Sequence, residues 1–397
     1  MARRKRVLFV SESITLAQIV RLAVLARALD RDRYDIHFAA TDFPGHVDIP
    51  FKRWPLWGLS ARYAQARLAA GKRLYTPRVL RRYVKADSDV IEAVRPDLIV
   101  GDLRWSLAVS APKLAVPLAS LINAYWSPHA RRAAFPMPDH PAVRFLGETF
   151  AGRYFPKALP WVFRHFAAPV NRERERAGLA PIGDLLDILS FGDYTLYADP
   201  PEMVDMVELP AAHRFLGAVP WSARGAVPAD WGSRAGRVPV YVTMGSSGSE
   251  HCVPSILRAL SALPVDVLLV TAGRPVPDSL PDNVHAAPFV DGRAACARAR
   301  LVIHNGGSST GYQALMAGTP VLGIPCNLDQ YLASERIDAR GAGLSLRSGS
   351  LTEKKVAQAV RQLLDEDGFA GHANLLRESF GAHDASENFR QFVANTA

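Results

Sequence analysis

The sequence predicts an α/β protein of two units, each organised around a largely parallel sheet. Three observations point there. Short apolar runs alternate with stretches of helical periodicity from the start of the chain, in the strand, helix, strand order of a parallel sheet with crossover helices. The same alternation restarts near residue 238, after a stretch from 209 to 238 that shifts to Pro, Gly, Ala and Arg and is the best linker. Finally, 397 residues exceed what one ordinary core organises and fit two domains.

The elements follow in order. Residues 1–6 are basic and lead into Val7, Leu8, Phe9 and Val10, a run too short for a signal peptide and cut off by Ser11, Glu12 and Ser13. It predicts a first strand. Apolar spacing predicts a helix over 16–29, a strand over 35–40 and another over 98–100. Function in such sheets gathers at the carboxyl ends of strands, which singles out Ser11, Glu12 and Asp102. The most apolar long window, 107–126, contains Lys113, Pro112 and Pro117 and makes a poor membrane span. Between 43 and 201 the chain is less regular and aromatic-rich, with His129, His140 and His165 scattered through it as candidate bases or ordinary histidines. The alternating charges of 172–176 read as a solvated helix face.

In the second half, strands are expected over 238–244, 265–271 and 284–290, the first followed by the turn Gly245-Ser246-Ser247-Gly248-Ser249. Leu301-Val302-Ile303 is a further buried strand. It runs into Gly306-Gly307-Ser308-Ser309-Thr310-Gly311, then a helix over 312–317 closed by Gly318, then a strand over 321–325. A helix starting in such a turn aims unpaired N–H groups and the positive end of its dipole at one point, which suits an anion. Asp329 and Gln330 reach the same rim. Gly307-Ser308-Ser309-Thr310-Gly311 also fits the G-x-S-x-G nucleophile elbow, with Ser309 as the nucleophile of an α/β-hydrolase.

Composition bounds the partners. The formal charge of +9 comes from Lys and Arg scattered among acids, so a solvated basic surface competes with an anionic substrate or a peripheral contact with a bilayer. No nucleic-acid-binding motif accompanies it, and no nucleic-acid partner is expected. Cys252, Cys296 and Cys326 form no metal or disulfide spacing and suit a reducing, cytoplasmic compartment. Asp365-Glu366-Asp367 matches a D-x-D metal signature but sits at a helix end far from the glycine-rich turn, so no metal site is expected.

Residues 301–330 closely resemble the donor-site signature of family 1 glycosyltransferases, nucleotide-sugar-dependent enzymes that include bacterial antibiotic glycosyltransferases. Gly307, Thr310, Ala314-Leu315, Gly318-Thr319-Pro320, Pro325 and Asp329-Gln330 fall in register with it. The resemblance implies the GT-B fold, two Rossmann-like domains with parallel sheets facing a central cleft. Residues 1–217 would bind the acceptor, 218–377 the nucleotide sugar, and 378–397 would form a helix, starting near Glu378, that crosses back to the first domain. It implies an inverting, metal-independent transfer from a UDP- or dTDP-linked sugar to a small aromatic or lipid-like acceptor, with no cofactor. By the same resemblance, His304, Asn305, Gly307, Ser308, Ser309 and Thr310 surround the diphosphate. Gln313 then meets the ribose, Gly245 and Ser246 touch the phosphates, Phe289 and Val290 cradle the base, and Asp329 and Gln330 take sugar hydroxyls.

Three departures qualify it. Asn305 stands where the family has a diphosphate-contacting His, and Gln313 where it has a ribose-binding Glu. Counting back from Leu25-Ala26-Arg27-Ala28-Leu29, Gln18 stands where the family has its general base, and a glutamine takes no proton. Three accounts follow: Asp102 or Glu12 serves as the base, the acceptor arrives ionised, or the chain is a non-catalytic auxiliary protein. Retention of Asp329 and Gln330 favours catalysis.

Overall fold

The structure, a computed structural model, describes residues 3–139, 148–277 and 279–396. His140 lies outside them. The chain divides into two compact units: one gathers residues 1–134, 140–219 and 383–397, the other 135–139 and 220–382.

Along the first unit run β1 (Lys5–Ser11), α1 (Leu16–Ala28), β2 (Tyr34–Ala40), β3 (Lys52–Pro55), α2 (Ala61–Ala69), α3 (Pro77–Val94), β4 (Leu98–Asp102), α4 (Leu107–Lys113), β5 (Leu118–Ile122), α5 (Glu148–Arg176), α6 (Leu185–Leu189), β6 (Tyr194–Tyr197) and β7 (His213–Phe215). The second contains β8 (Val238–Thr243), α7 (Val253–Ser261), β9 (Val265–Val270), β10 (Val284–Ala287), α8 (Gly292–Arg298), β11 (Leu301–His304), α9 (Ser308–Met316), β12 (Val321–Gly323), α10 (Leu328–Ala339), β13 (Gly343–Ser345), α11 (Glu353–Asp365) and α12 (Asp367–Gly381). The last described helix, α13 (Ala385–Thr396), belongs to the first unit.

The first sheet has the order β3-β2-β1-β4-β5-β6-β7 and the second β10-β9-β8-β11-β12-β13, every pairing parallel. Both are doubly wound, Rossmann-like sheets. Each reverses direction once, between β1 and β4 in the first and between β8 and β11 in the second, and such a switch point opens a crevice at the carboxyl ends of the two strands. Sheets covered on both faces need strands that are apolar throughout. Accordingly Leu8 and Val10 of β1 pack with Val90, Ile91 and Val94 of α3, while Phe9 faces the other way, 5.9 Å from the Phe389 ring of α13. In the second unit Val240, Val242, Val267, Leu269 and Ile303 face α7 and α11 in one cluster.

Three elements differ from the sequence reading. The stretch 209–238 is structured: β7 is an edge strand, and Trp231 is fully buried with its indole N–H on the Asp266 carbonyl at 2.9 Å. The terminal helix begins at Ala385, because α12 runs to Gly381 and Asp384 accepts the N–H groups of Ser386 and Glu387 as a fresh cap. The charged run of 172–176 is not wholly solvated. Glu173 is buried between Arg81 and Arg176, and Arg174 is buried on the carbonyls of Ala180 and Ala108.

Candidate functional site

The switch point of the second sheet carries the glycine-rich turns. After β8, Gly245 turns the chain with φ of 53°, and the Gly248 N–H closes the loop on the Met244 carbonyl at 2.9 Å. After β11 the chain passes Asn305 and Gly306, whose φ is 79°, to Gly307, the N-cap of α9. A Cβ on Gly306 would sit 2.5 Å from Ser334 Oγ, so glycine is required by space as well as by backbone. Gly307 brings no capping side chain, which leaves the first-turn N–H groups of α9 to an outside acceptor. Ser308, Ser309 and Thr310 are partly exposed there.

Asn305 ties the two turns together. Its Oδ1 accepts the Gly307 N–H at 3.1 Å and its Nδ2 donates to Ser247 Oγ at 3.3 Å. His304 does not join the site, contrary to the expectation that it touches the diphosphate. It is fully buried under α9, its Nδ1 accepting the Gly306 N–H at 3.2 Å, and burial pushes its imidazole down to about 4. For the same reason it is no base for Ser309. Arg274, which the sequence did not single out, donates to the Ser246 carbonyl at 3.1 Å and pairs with Glu250 at 2.8 Å, so a cation borders the Gly245 turn.

Further along α9, Gln313 donates through Nε2 to the Trp221 carbonyl, and the segment 221–225 lies along the loop after β10: the Arg293 N–H meets Ser222 Oγ at 3.1 Å and the Asp291 N–H meets the Gly225 carbonyl at 2.8 Å. Phe289 is partly exposed over Gly273, where a Cβ would be 3.1 Å from its ring. Val290 is buried, at odds with the expectation that its side chain cradles a nucleotide base. Trp221, inside the stretch read as a linker, carried no motif to reveal it.

Asp329 and Gln330 occupy the first turn of α10 but face different surroundings. Asp329 is exposed. Gln330 is 2% exposed, its Oε1 accepting the Cys326 N–H at 3.0 Å and its Nε2 donating to the Ser247 carbonyl at 3.3 Å. Its amide staples the loop before α10 to the Gly245 turn, which corrects its assignment as a direct ligand of sugar hydroxyls. The same loop is held by Asp139, whose carboxylate accepts from Tyr331 at 2.9 Å, Arg347 at 2.8 Å, Ser348 at 2.6 Å and the Gly349 N–H at 2.7 Å, while its own N–H donates to the Cys326 carbonyl.

The switch point of the first sheet is filled by ion pairs instead. Asp102, at the end of β4, is fully buried with both oxygens on Arg21, at 2.9 and 3.0 Å. Glu12, following β1, is fully buried among Tyr83 (3.1 Å), Tyr75 (3.3 Å) and Arg104 (3.4 Å), and Arg104 also holds Asp87 at 2.7 Å. Burial pushes the Glu12 carboxyl up, and Arg104 opposes the shift. Both carboxylates are fully buried and engaged by guanidinium groups, at odds with the expectation that one of them is the base. Gln18 is a helix cap: its Oε1 accepts the N–H groups of Ile14 at 3.0 Å and Thr15 at 3.1 Å. At the carboxyl end of the same sheet, past β5, His129 keeps a quarter of its side chain exposed and sets Nδ1 3.0 Å from Glu208.

Residues 254–391 match the model of the erythromycin biosynthesis protein CIII-like C-terminal domain. Over 385 residues, 96% of this chain and 90% of the relative, the chain is 43% identical to a PGL/p-HBAD biosynthesis glycosyltransferase of Mycobacterium tuberculosis. It is 41% identical over 398 residues, 99% of this chain and 88% of the relative, to a PGL/p-HBAD biosynthesis rhamnosyltransferase of Mycobacterium bovis. Among solved structures, the calicheamicin glycosyltransferase CalG4 superposes with a TM-score of 0.74 at 17% identity, covering 100% of this chain and 98% of that one. The spinosyn rhamnosyltransferase SpnG superposes with 0.71 at 18% identity, covering 98% and 100%. With relatives this similar over nearly the whole chain, and a fold shared with the antibiotic glycosyltransferases, the protein is a glycosyltransferase and belongs to the family 1 GT-B glycosyltransferases.

Proposed function

We propose that the second unit holds a UDP- or dTDP-linked sugar and that the enzyme moves the sugar, with inversion, to a small aromatic or lipid-like acceptor bound by the first. The observation that carries this reading is the α9 N-terminus, uncapped by Gly307 at the switch point of its sheet and flanked by Asn305 and the Gly245 turn. A leaving diphosphate there is stabilised by fixed N–H groups and the helix dipole, with the charge of Arg274 nearby. Phe289 and Trp221 border the place for the base, Gln313 that for the ribose, and Asp329 presents a carboxylate to sugar hydroxyls. The relatives named for PGL/p-HBAD biosynthesis, one of them a rhamnosyltransferase, support an aromatic or lipid-like acceptor and put rhamnose among the sugars to be tried.

With Asp102 and Glu12 internal, the base of this proposal is His129. Glu208 on Nδ1 orients the ring and leaves Nε2 for the acceptor hydroxyl.

A panel of UDP- and dTDP-sugars in a thermal-shift assay, followed by turnover and the anomeric configuration of the product, tests the reading. Thr310→Val is expected to weaken nucleotide binding by about 1 to 3 kcal/mol through lost charged hydrogen bonds. Asp329→Ala is expected to lower turnover while the bare nucleoside diphosphate still binds. Unchanged nucleotide affinity in Thr310→Val removes the donor-site assignment.

A further inference from the structure

Contrary to the reading of Lys and Arg as scattered among acids, the basic charge of this chain is concentrated. Between residues 49 and 86 there are 10 Lys and Arg and no Asp or Glu, and between 149 and 172 there are 4 and again no acid. These 14 of the 47 basic residues leave 33 to face all 38 acidic ones, so the whole positive balance of the protein resides in two segments. Parts of both fold onto one core cluster, where Ala64 of α2 and Leu74, Tyr75 and Leu80 after it pack with Ala167 and Val170 of α5. Of the 14 basic residues, Arg62 and Arg67 lie on α2 and Arg153, Lys157, Arg164 and Arg172 on α5, with Lys72 and Arg73 just after α2, whereas Lys52 and Arg53 lie on β3 and Arg78, Arg81, Arg82 and Lys85 on α3.

The outer faces of α2 and α5 mix basic residues with large apolar ones that a purely solvated face would not carry. Trp161 and Tyr154 on α5 are 63% and 47% exposed, Tyr63 and Leu68 on α2 are 51% and 42% exposed, and these are half of the large exposed hydrophobic side chains among the described residues. On α5 they form one stripe at helical spacing, Tyr154, Lys157, Ala158, Trp161, Arg164 and His165, all exposed. Lys157 lies 5.8 Å over the Tyr154 ring, and Trp161 stacks on His165 at 5.2 Å. Aromatic rings with a polar edge, an aliphatic side chain and surrounding Lys and Arg are the composition of a surface that lies in a lipid headgroup layer.

We propose that α2 and α5 form a docking surface for a bilayer carrying anionic lipid. No helix among the described residues is long and apolar enough to cross a membrane, so the contact is peripheral. The charges attract the surface, and Trp161, Tyr154, Tyr63 and Leu68 enter the headgroup region. An RNA or DNA strand would use the charges but has no use for Leu68 or the aliphatic part of the stripe. The proposal stands on surface residues alone and is independent of the donor and base assignments, so its test does not read turnover.

The full chain is sedimented with vesicles of phosphatidylcholine, with and without phosphatidylglycerol. Binding at least about tenfold stronger to the anionic vesicles is expected, and it should vanish as salt rises from about 0.1 M to about 1 M and the screening length falls from about 10 Å to about 3 Å. Lys157→Glu with Arg164→Glu should reduce that binding about tenfold or more, and Arg62→Glu with Lys72→Glu, on α2 and just after it, should do so independently. Trp161→Ala should weaken it severalfold at unchanged melting temperature, since the side chain is exposed. No binding to anionic vesicles, equal binding to neutral ones, or binding untouched by both charge reversals overturns the proposal. So does binding of bulk RNA at the same salt in place of vesicles.

Discussion

Sealing a histidine beneath a helix adds one contribution to how this protein responds to acid. His304 is held neutral with its folded value near 4, below the ordinary 6.5, so between those values the unfolded chain binds a proton that the folded one refuses. Its contribution is complete above about pH 6.5 and is lost as pH falls toward 4, about 3 kcal/mol in all. In the variant His304→Gln, the fall in melting temperature between pH 7 and pH 4 should be smaller than in the parent protein, and an unchanged slope would show that the imidazole is solvated. Two other residues separate structure from chemistry. Asp102→Asn should cost about 3 kcal/mol of stability by stranding Arg21, yet leave the rate per folded molecule near its starting value. His129→Ala should lower kcat roughly a hundredfold with the fold intact. The reverse pattern in stopped-time assays would restore Asp102 as the base. What the sequence offered at this scale was residue type without surroundings. Asp102 and Glu12 were found as carboxylates at strand ends, but their guanidinium partners Arg21 and Arg104 are distant in the chain or carry no motif. Gln18 was legible in another way: Thr15-Leu16-Ala17-Gln18 is the spacing of a capping box, a reading that explains the glutamine without a missing base.

Among the elements, the turn between β11 and α9 was the most readable, because strand, glycines and helix lie in one uninterrupted stretch and the required φ of Gly306 is a local property. The loop before α10 is the opposite case. Its geometry depends on Asp139, which reaches Tyr331, Arg347 and Ser348 across some two hundred positions of sequence, a separation at which no periodicity or spacing gives warning. Asp139→Ala removes four acceptor contacts at once and should loosen residues 326–331 and 347–349. Hydrogen exchange should quicken in those segments by about tenfold, the effect of roughly 1.4 kcal/mol of lost local stability, and turnover should fall more than affinity for the bare nucleoside diphosphate. Protection unchanged in both segments would mean that α10 holds the loop unaided. The stretch 209–238 misled for a related reason. Its Pro and Gly content marks turns correctly, but a turn-rich segment is a linker only when its side chains stay outside, and Trp231 does not.

For the whole molecule, the doubly wound order of both sheets follows from alternating strands and helices; that alternation was plain in the second unit and at the start of the first, but over 43–201, where most of the first sheet lies, only the strand at 98–100 was read. The path between units was less so: the chain leaves the first for residues 135–139, returns, leaves at 220 and returns at 383. Deleting residues 383–397 should therefore damage the end of the protein that is far away in sequence. Phe389 and Val393 are fully buried and Phe392 nearly so, with Phe9 and Tyr194 as ring neighbours at 5.9 and 5.2 Å, and losing them costs on the order of 5 kcal/mol, comparable to a domain's entire stability. Urea unfolding followed by exchange should show the first unit unfolding early in the truncated protein, while nucleotide still stabilises the second. Equal weakening of both would show that α13 serves the molecule as a whole.

The place of α13 also bears on how the protein is made. A ribosome delivers the first sheet early, but the helix that covers Phe9 is translated only after every residue of the second unit. Domains of a growing chain ordinarily mature in order of emergence. Here the earlier-made half waits with a hydrophobic face uncovered until residues 385–396 leave the exit tunnel, and the later-made half can be complete first. During that interval the nascent chain would present the kind of apolar surface that chaperones shield, and a stalled or prematurely terminated message would yield a product with that face still bare.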